Sequence, residues 1–316
     1  MKQMNKQNTV FSYIVLTLGL ALAGGLSYVG YRVAAGEYVF GRSIREAAAN
    51  RGDATYNSQI QAIGLNPYDI RYRLSYAQTN LAIANSLAAN KDLTDQDRQI
   101  IQQLVTQSIE QAKNAIAIDS LRADSWAVLA NIYQSLINVA EGSDQWAVAT
   151  YQQAIAVDPN NAQLRLAYGQ LLFSLNEFEA SQRQFELAVS LKQDYTNAFY
   201  NLAFAYSKQE KLLQAQSAMT QVLTLVERDS DDYKNAQERL TEINDLIVQT
   251  QPQQPAEGAQ DVQNNQQAVT SPSPTPKPVL FGPEEATNEA FMEPPLELDE
   301  KSAAPNVTVA PTKATQ

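Results

Sequence analysis

The stretch that decides the fold is AQLRLAYGQLLFSLNEFEASQRQFELAVSLKQDYTNAFYNLAFAYSKQEKLLQAQSAMTQV, residues 162–222. Small and bulky residues recur along it at a spacing of 34 positions. The matched pairs are Gly169 and Ala203, Leu172 and Tyr206, Ser181 and Ala215, Phe185 and Met219, and Ala188 and Val222. A fixed period of this length is typical of stacked helix-turn-helix units, each of which buries its apolar face only against its neighbours. The sequence therefore predicts an all-α repeat domain.

The same pattern extends toward the N-terminus. An earlier unit carries Trp126, Leu129, Ala130 and Tyr133 on its first helix and Ala147, Tyr151, Ala154 and Pro159 on its second. The turn between its two helices is five residues longer than the turn in the unit at residues 162–195. Tyr133 and Ala147 lie 14 positions apart, whereas the equivalent Leu172 and Ser181 lie 9 apart. The pattern resembles the tetratricopeptide repeat family. That resemblance implies a superhelix of paired helices, called helix A and helix B below, that binds proteins or peptides along its concave side.

Flanking segments extend the predicted repeat domain to residues 37–248. The turn Gly64-Leu65-Asn66-Pro67 makes residues 56–65 helix B of an incomplete first repeat. The next helix A carries Tyr76-Ala77, and its partner helix is displaced to a segment that starts with a capping box of Thr94 and Asp97 and reaches Ile118. In the lengthened turn between Tyr133 and Ala147, we expect Ser143 or Asp144 to cap the helix B that follows. Residues 231–248 predict an amphipathic helix that covers the last repeat.

A membrane-spanning helix is predicted at residues 9–33, after a short basic terminus of residues 1–8. No charged residue lies between Lys6 and Arg32, and the apolar part is about the ~20 residues that a helix needs to cross a bilayer. Two alternatives stay open. The small residues Ala21 and Ala23 fit a signal-peptidase site, and Gly24, Gly25 and Ser27 suit helix–helix contact within the membrane.

The orientation of this span is indicated by two opposing patterns. Four arginines follow the uncharged stretch within about 20 residues, against two lysines before it, which favours a repeat domain on the inside. A short basic start that runs directly into an apolar segment instead resembles an uncleaved signal, which exports the domain C-terminal to it. We expect a single-pass protein whose repeat domain is extracytoplasmic.

The C-terminal residues 250–316 have a different composition. They contain 11 of the 13 prolines, with 9 acidic and 3 basic residues. Such a segment buries too little apolar surface to offset the entropy of ordering, so a disordered Pro-rich acidic tail is predicted. Its few apolar residues, at 279–281 and 291–292, leave a short docking motif as an alternative.

Composition excludes several function classes. The net charge of -11 argues against nucleic-acid binding, which needs clustered Lys and Arg. The chain has no cysteine and no histidine, which excludes disulfides, thiolate and imidazole metal sites, and triads with a histidine base. A carboxylate pair or a Ser-Lys dyad has no local signature here. We expect no catalytic residue, no cofactor and no metal.

The candidate binding residues lie on helix A, at positions that the repeat packing does not use. Side-chain amides both donate and accept hydrogen bonds and so suit the backbone of an extended peptide, while aromatic residues suit its side chains. Some members of the family bind the acidic terminus of a peptide through Lys and Arg side chains along this groove. Here only Arg71 and Lys208 lie near the groove, so this activity is not expected. A solvated face without ligand is the alternative. The predicted groove consists of Gln78, Ala127, Asn131, Gln134, Leu166, Gln170, Phe173, Tyr200, Phe204 and Ser207.

A second resemblance concerns the junction between span and repeats. Residues 25–85, with Leu65-Asn66-Pro67-Tyr68-Asp69 and Tyr72-Arg73, resemble the junction in bacterial O-antigen ligase-type membrane proteins that carry a repeat domain. The many spans of such enzymes are absent from the sequence, so no glycan chemistry is carried over. The chain is interpreted as a bacterial-type, membrane-anchored, non-enzymatic scaffold. The alternatives are an accessory subunit of an envelope polysaccharide or protein assembly machine, and an enzyme that relies on carboxylates.

Overall fold

The computed structural model describes residues 2–250, which form eleven α-helices and no β-strand. The predicted tail lies outside the described residues, apart from Thr250. The helices are α1 (Lys2–Ala48), α2 (Gly52–Leu65), α3 (Ile70–Ala88), α4 (Asp95–Ile118), α5 (Ala123–Ser135), α6 (Ser143–Val157), α7 (Ala162–Ser174), α8 (Phe178–Leu191), α9 (Thr196–Lys208), α10 (Leu212–Leu225) and α11 (Asp231–Thr250).

Consecutive helices pack as antiparallel pairs joined by short turns. The pairs are α1 with α2, α3 with α4, α5 with α6, α7 with α8 and α9 with α10, while α11 packs on α10. Each pair also contacts the next, so the apolar residues form continuous clusters across repeats. The predicted all-α repeat fold with a terminal covering helix is confirmed.

The first repeat has both of its helices, contrary to the prediction of an incomplete one. Helix α1 runs without interruption from the predicted span to Ala48, and its last third packs on α2 as helix A. Val39, Ala62 and Tyr72 form the small core in which α1, α2 and α3 meet. The signature was not recognisable there because polar side chains occupy its buried positions: Ser43 and Glu46 are only 0% and 4% exposed.

Serine hydrogen bonds show how the second repeat is enlarged. Ser181 Oγ on α8 donates to the carbonyl of Gly169 at 2.8 Å, and Ser108 Oγ on α4 donates to the carbonyl of Ala77 at 2.7 Å. The two serines therefore occupy equivalent positions, 12 and 31 residues after their acceptors. The second repeat thus holds 19 extra residues, as the predicted displacement of its partner helix requires.

Helix ends agree with the predicted caps in one case and differ in another. Thr94 and Asp97 form the predicted capping box at the start of α4. At α6 the N-cap is Gly142, in the left-handed conformation with φ 71°, and no side chain caps the helix. Ser143 is instead the first helical residue, and its hydroxyl donates back to the carbonyls of Leu136 and Ala140. The expectation that Ser143 or Asp144 caps α6 is therefore wrong.

Candidate binding surface on the A helices

Three of the predicted groove residues form an exposed row of amides, one on each of three successive A helices. Gln78 lies on α3, Asn131 on α5 and Gln170 on α7, at equivalent repeat positions, and all three are exposed. Within residues 2–250, the amides of Gln78 and Gln170 make no side-chain hydrogen bond. Each therefore presents a donor and an acceptor to solvent.

The middle of this row is held in place by a core tyrosine. Tyr151 on α6 is fully buried, and its hydroxyl lies 2.6 Å from Asn131 Oδ1 and 3.1 Å from Gln134 Oε1. Burial raises the pKa of Tyr151 to about 12. The neutral phenol thus orients both carbonyl oxygens while each amide NH₂ group can still donate.

Leu166 is placed differently from its prediction as a groove residue. Its side chain is 7% exposed and belongs to the core cluster shared with Ala198 and Leu202 of the next helix A. Sideways stacking of α7 and α9 covers this position, so Leu166 offers no surface to a ligand. Ala127 and Tyr200, at equivalent positions, are half-buried.

The C-terminal end of the predicted groove is partly covered by α11. The predicted groove residues at this end are half-buried: Phe173, Tyr200, Phe204 and Ser207. The three aromatic side chains pack against the same core cluster as Leu166. The guanidinium of Arg239 on α11 lies 5.8 Å from the centre of the Phe204 ring. The expectation that the repeat packing does not use the groove positions is therefore not met at Phe204. A cavity of about 100 Å³ remains, lined by Phe204, Ser207, Met219, Arg239, Glu242 and Ile243, among others.

Arg239 was not among the predicted groove residues. Its ion pair with Glu242, at 2.7 Å, holds the guanidinium beside the ring. The period of 34 could have indicated this position, since one further step from Phe204 reaches Glu238, the residue before Arg239. Helix α11 thus occupies the place of a next helix A.

The two basic residues expected near the groove differ in their surroundings. Arg71 pairs with Asp69, at 2.6 Å, and with Glu37, at the start of α3 rather than along the row of amides. Lys208 ends α9 and is exposed. Within residues 2–250, no group of three or more acidic side chains is placed to hold a metal ion.

The N-terminal part of α1 is apolar and unburied. Among the described residues, one helical segment, Tyr13–Ala48, is long and apolar enough to cross a membrane. Its large side chains, such as Leu18, Leu22 and Leu26, are more than half exposed.

Comparisons with known proteins identify the repeat. A family model described as tetratricopeptide repeat matches residues 162–195. Among solved structures, a thermophilic tetratricopeptide repeat protein of Thermus thermophilus is 20% identical, with TM-score 0.48, over 66% of this chain and 98% of that one. The MamA protein is 16% identical, with TM-score 0.46, over 62% of this chain and 92% of its own.

A third similar structure is YrrB, described as a tetratricopeptide repeat protein with an unusual peptide-binding site. It is 12% identical, with TM-score 0.42, over 63% of this chain and 90% of its own. A comparison with curated protein sequences finds no match. The resemblance to O-antigen ligase-type proteins stays a prediction.

Proposed function

We propose that the chain is a tetratricopeptide repeat protein that serves as a membrane-anchored scaffold and binds a peptide segment of another protein. Its paired helices and the repeat matched at residues 162–195 support this. The fold itself is that of a protein-interaction scaffold. The binding surface that we propose is the row of Gln78, Asn131 and Gln170, with Gln134 and Phe173 beside it.

The observation that carries this proposal is the regular spacing of exposed amides across three repeats. An extended peptide presents alternating N–H and C=O groups, and each carboxamide can pair with one of each. The contact between Tyr151 and Asn131 fixes one of these amides in advance, which lowers the entropy lost on binding. Helix α11 limits the surface at its C-terminal end, so α3, α5 and α7 form the proposed site.

The anchor is the apolar part of α1. Its exposed leucines have no protein partner within residues 2–250, so lipid is the environment that suits them. We propose a single-pass protein with an extracytoplasmic repeat domain. Protease added to intact spheroplasts would test this orientation: digestion of the repeat domain supports it, and survival until lysis contradicts it.

The test of the binding surface begins with crosslinking in native membranes to identify the partner. Gln78→Ala, Asn131→Ala and Gln170→Ala should each weaken partner affinity, by roughly 1–3 kcal/mol where the lost amide leaves a buried peptide group unpaired. Gln153→Ala is the matched control, since Gln153 is an exposed amide on helix B of the same repeat as Asn131. Native affinity in all three variants would show that the partner binds elsewhere.

A second candidate role is that of an accessory subunit of an envelope assembly machine, held by contacts within the bilayer. The observation that favours it is the open surface around Gly24 and Gly25, where an added Cβ would meet nothing within 4 Å. Small residues of this kind allow close helix–helix approach in membranes. Loss of partner capture in Gly24→Leu, with full capture in Gln170→Ala, would favour this role over the first.

A further inference from the structure

The path of α1 determines which edge of the superhelix lies nearest the span. Helix A of the first repeat begins near Gly36, at the edge where each helix B turns into the next helix A. Because α1 is one uninterrupted helix, the span leaves the repeat domain from this edge. The turns at residues 66–69 and 119–122 belong to the same edge.

Two contacts attach the first of these turns to α1, close to the span. The Arg32 guanidinium donates a hydrogen bond to the carbonyl of Gly64, at the end of α2. Glu37 forms an ion pair with Arg71, just after the turn. Since a helix rises 1.5 Å per residue, only about 5 Å of helix separates the predicted end of the span at residue 33 from Gly36.

The tips of both turns carry large, exposed side chains. Tyr68 is 80% exposed, and Leu121 is 80% exposed. Pro67 and Tyr68 of the first turn share an open groove of about 360 Å³ with Ala117 and Ile118 at the end of α4. The groove thus reaches from the first turn to the end of the helix that leads into the second turn.

Two arginines at this edge, Arg71 and Arg122, are each paired with carboxylates, while Asp119 accepts a hydrogen bond from the backbone N–H of Leu121. Arg71 is bound by Asp69 and Glu37, and Arg122 is bound by Asp124. Pairing lowers the cost of bringing these charges near lipid, whereas isolated charges would resist it. Tyrosine, in addition, is enriched at membrane–water interfaces because it has an apolar ring and a polar end.

We propose that the edge formed by residues 66–69 and 119–122 lies on the bilayer surface, with Tyr68 and Leu121 in the lipid headgroup layer. This rests on the proposed anchoring by α1. It adds a second, peripheral membrane contact that fixes how the repeat domain is oriented above the bilayer.

The test uses single-cysteine variants of the full chain, which has no cysteine of its own. Tyr68→Cys and Leu121→Cys place a fluorophore at the proposed contact. Val139→Cys is the matched control, because Val139 is 79% exposed and lies beyond the other end of α5, roughly 20 Å away for a helix of 13 residues. The labelled proteins are reconstituted into phosphatidylcholine–phosphatidylglycerol vesicles containing lipids with a nitroxide on the headgroup.

We expect several-fold stronger quenching at positions 68 and 121 than at position 139. Equal quenching at all three positions, or quenching at 139 alone, would overturn the proposal, as would no quenching at any of them. The last result, with the chain still floating with the vesicles, would mean that the edge is free for a protein partner. Flotation in the same samples tests the anchor by itself, since a chain that stays at the bottom of the gradient refutes anchoring as well.

Discussion

The ring of Phe185 lies directly against the backbone of Gly169. A Cβ added at position 169 would stand 2.5 Å from Phe185 Cε1, closer than real side chains approach. Phe185 is fully buried, and the carbonyl of Gly169 accepts the hydroxyl of Ser181 at 2.8 Å. The crossing of α7 and α8 therefore depends on the absence of a side chain at 169. In the next repeat an alanine occupies this position, and Met219 replaces the aromatic ring.

Gly169→Ala should destabilise the repeat domain although alanine favours helices. The ring or the helix crossing must shift, and overpacking of this kind costs about 1–3 kcal/mol. Gly64→Ala is the control, because a Cβ there meets nothing within 4 Å and the helix gains about 0.5–1 kcal/mol. Denaturant unfolding of the full chain in detergent measures both. A Gly169→Ala variant as stable as Gly64→Ala would mean that the crossing is more adaptable than its geometry implies.

Phe185→Ala tests the same contact from the other side. Removal of this fully buried ring should lower the free energy of unfolding by about 3–5 kcal/mol, because it leaves a cavity between α7 and α8. Leu213→Ala, at a residue 66% exposed, should change stability by no more than about 0.5 kcal/mol. An unchanged unfolding midpoint in Phe185→Ala would contradict the assigned packing.

The pair of Gly169 and Phe185 was predictable from sequence because one short stretch contains both residues and its period of 34 repeats them. Small residues where helices cross, with large ones opposite, are what stacked helix pairs require. The same rule located the helices from Ala123 to Leu225, whereas an amphipathic pattern located the covering helix α11.

Contacts between repeats were not predictable in this way. Leu166 has the spacing of a groove residue, but α9 covers it, and Phe204 is covered in part by Arg239 of α11. Helix A of the first repeat, at the end of α1, was missed because polar residues replace its signature. Ser43 and Glu46 stand there at the positions that Gly169 and Leu172 occupy on α7. A buried carboxylate is tolerated only with partners, and spacing alone does not reveal them.

Alkaline pH should unfold the domain through its buried tyrosines. Burial raises the pKa of Tyr76 and Tyr206, the latter also through the nearby Glu186, and raises the pKa of Tyr151 from 10.0 to about 12. A group with a raised folded pKa contributes stability that is fully present below its unfolded pKa and is lost as pH rises through the folded value. Stability should therefore fall above pH 10.0.

The variant Tyr151→Phe separates the contribution of Tyr151 from the loss of stability that other groups cause at alkaline pH. At neutral pH the variant should lose about 0.5–1.5 kcal/mol, the contribution of the hydrogen bond to Asn131 and Gln134. Its stability should then fall less steeply than that of the wild type above pH 10.0. Unfolding midpoints measured across this pH range give both quantities, and parallel profiles would exclude Tyr151 as a contributor.

Acid should weaken the contact that joins α1 to α2. Ser58 Oγ donates to Glu46 Oε2 at 2.8 Å, and Arg42 Nε lies 2.7 Å from Oε1. The hydrogen bond from Ser58, together with the weaker effect of the one from Arg42, lowers the pKa of Glu46 below 4.5. A lowered carboxyl pKa contributes stability that is present above the unfolded pKa and is lost as pH falls through the folded one.

Glu46→Gln should therefore be less stable than the wild type at neutral pH, because the charge-assisted bonds are lost. This difference should shrink as the pH falls from 4.5 through the lowered pKa of folded Glu46, because the wild-type side chain then becomes neutral as well. Glu110→Gln, at an exposed position on α4, is the control. Hydrogen exchange of the α2 amides gives a local measurement, since loosening of the first repeat should expose them before the amides of α7 and α8. If the difference in stability between the wild type and Glu46→Gln persists or grows as the pH falls, then the charge of Glu46 does not stabilise the contact. The contact between α1 and α2 would then rest on the packing of Val39 against Ala62 and on the hydrogen bond from Arg32 to the carbonyl of Gly64.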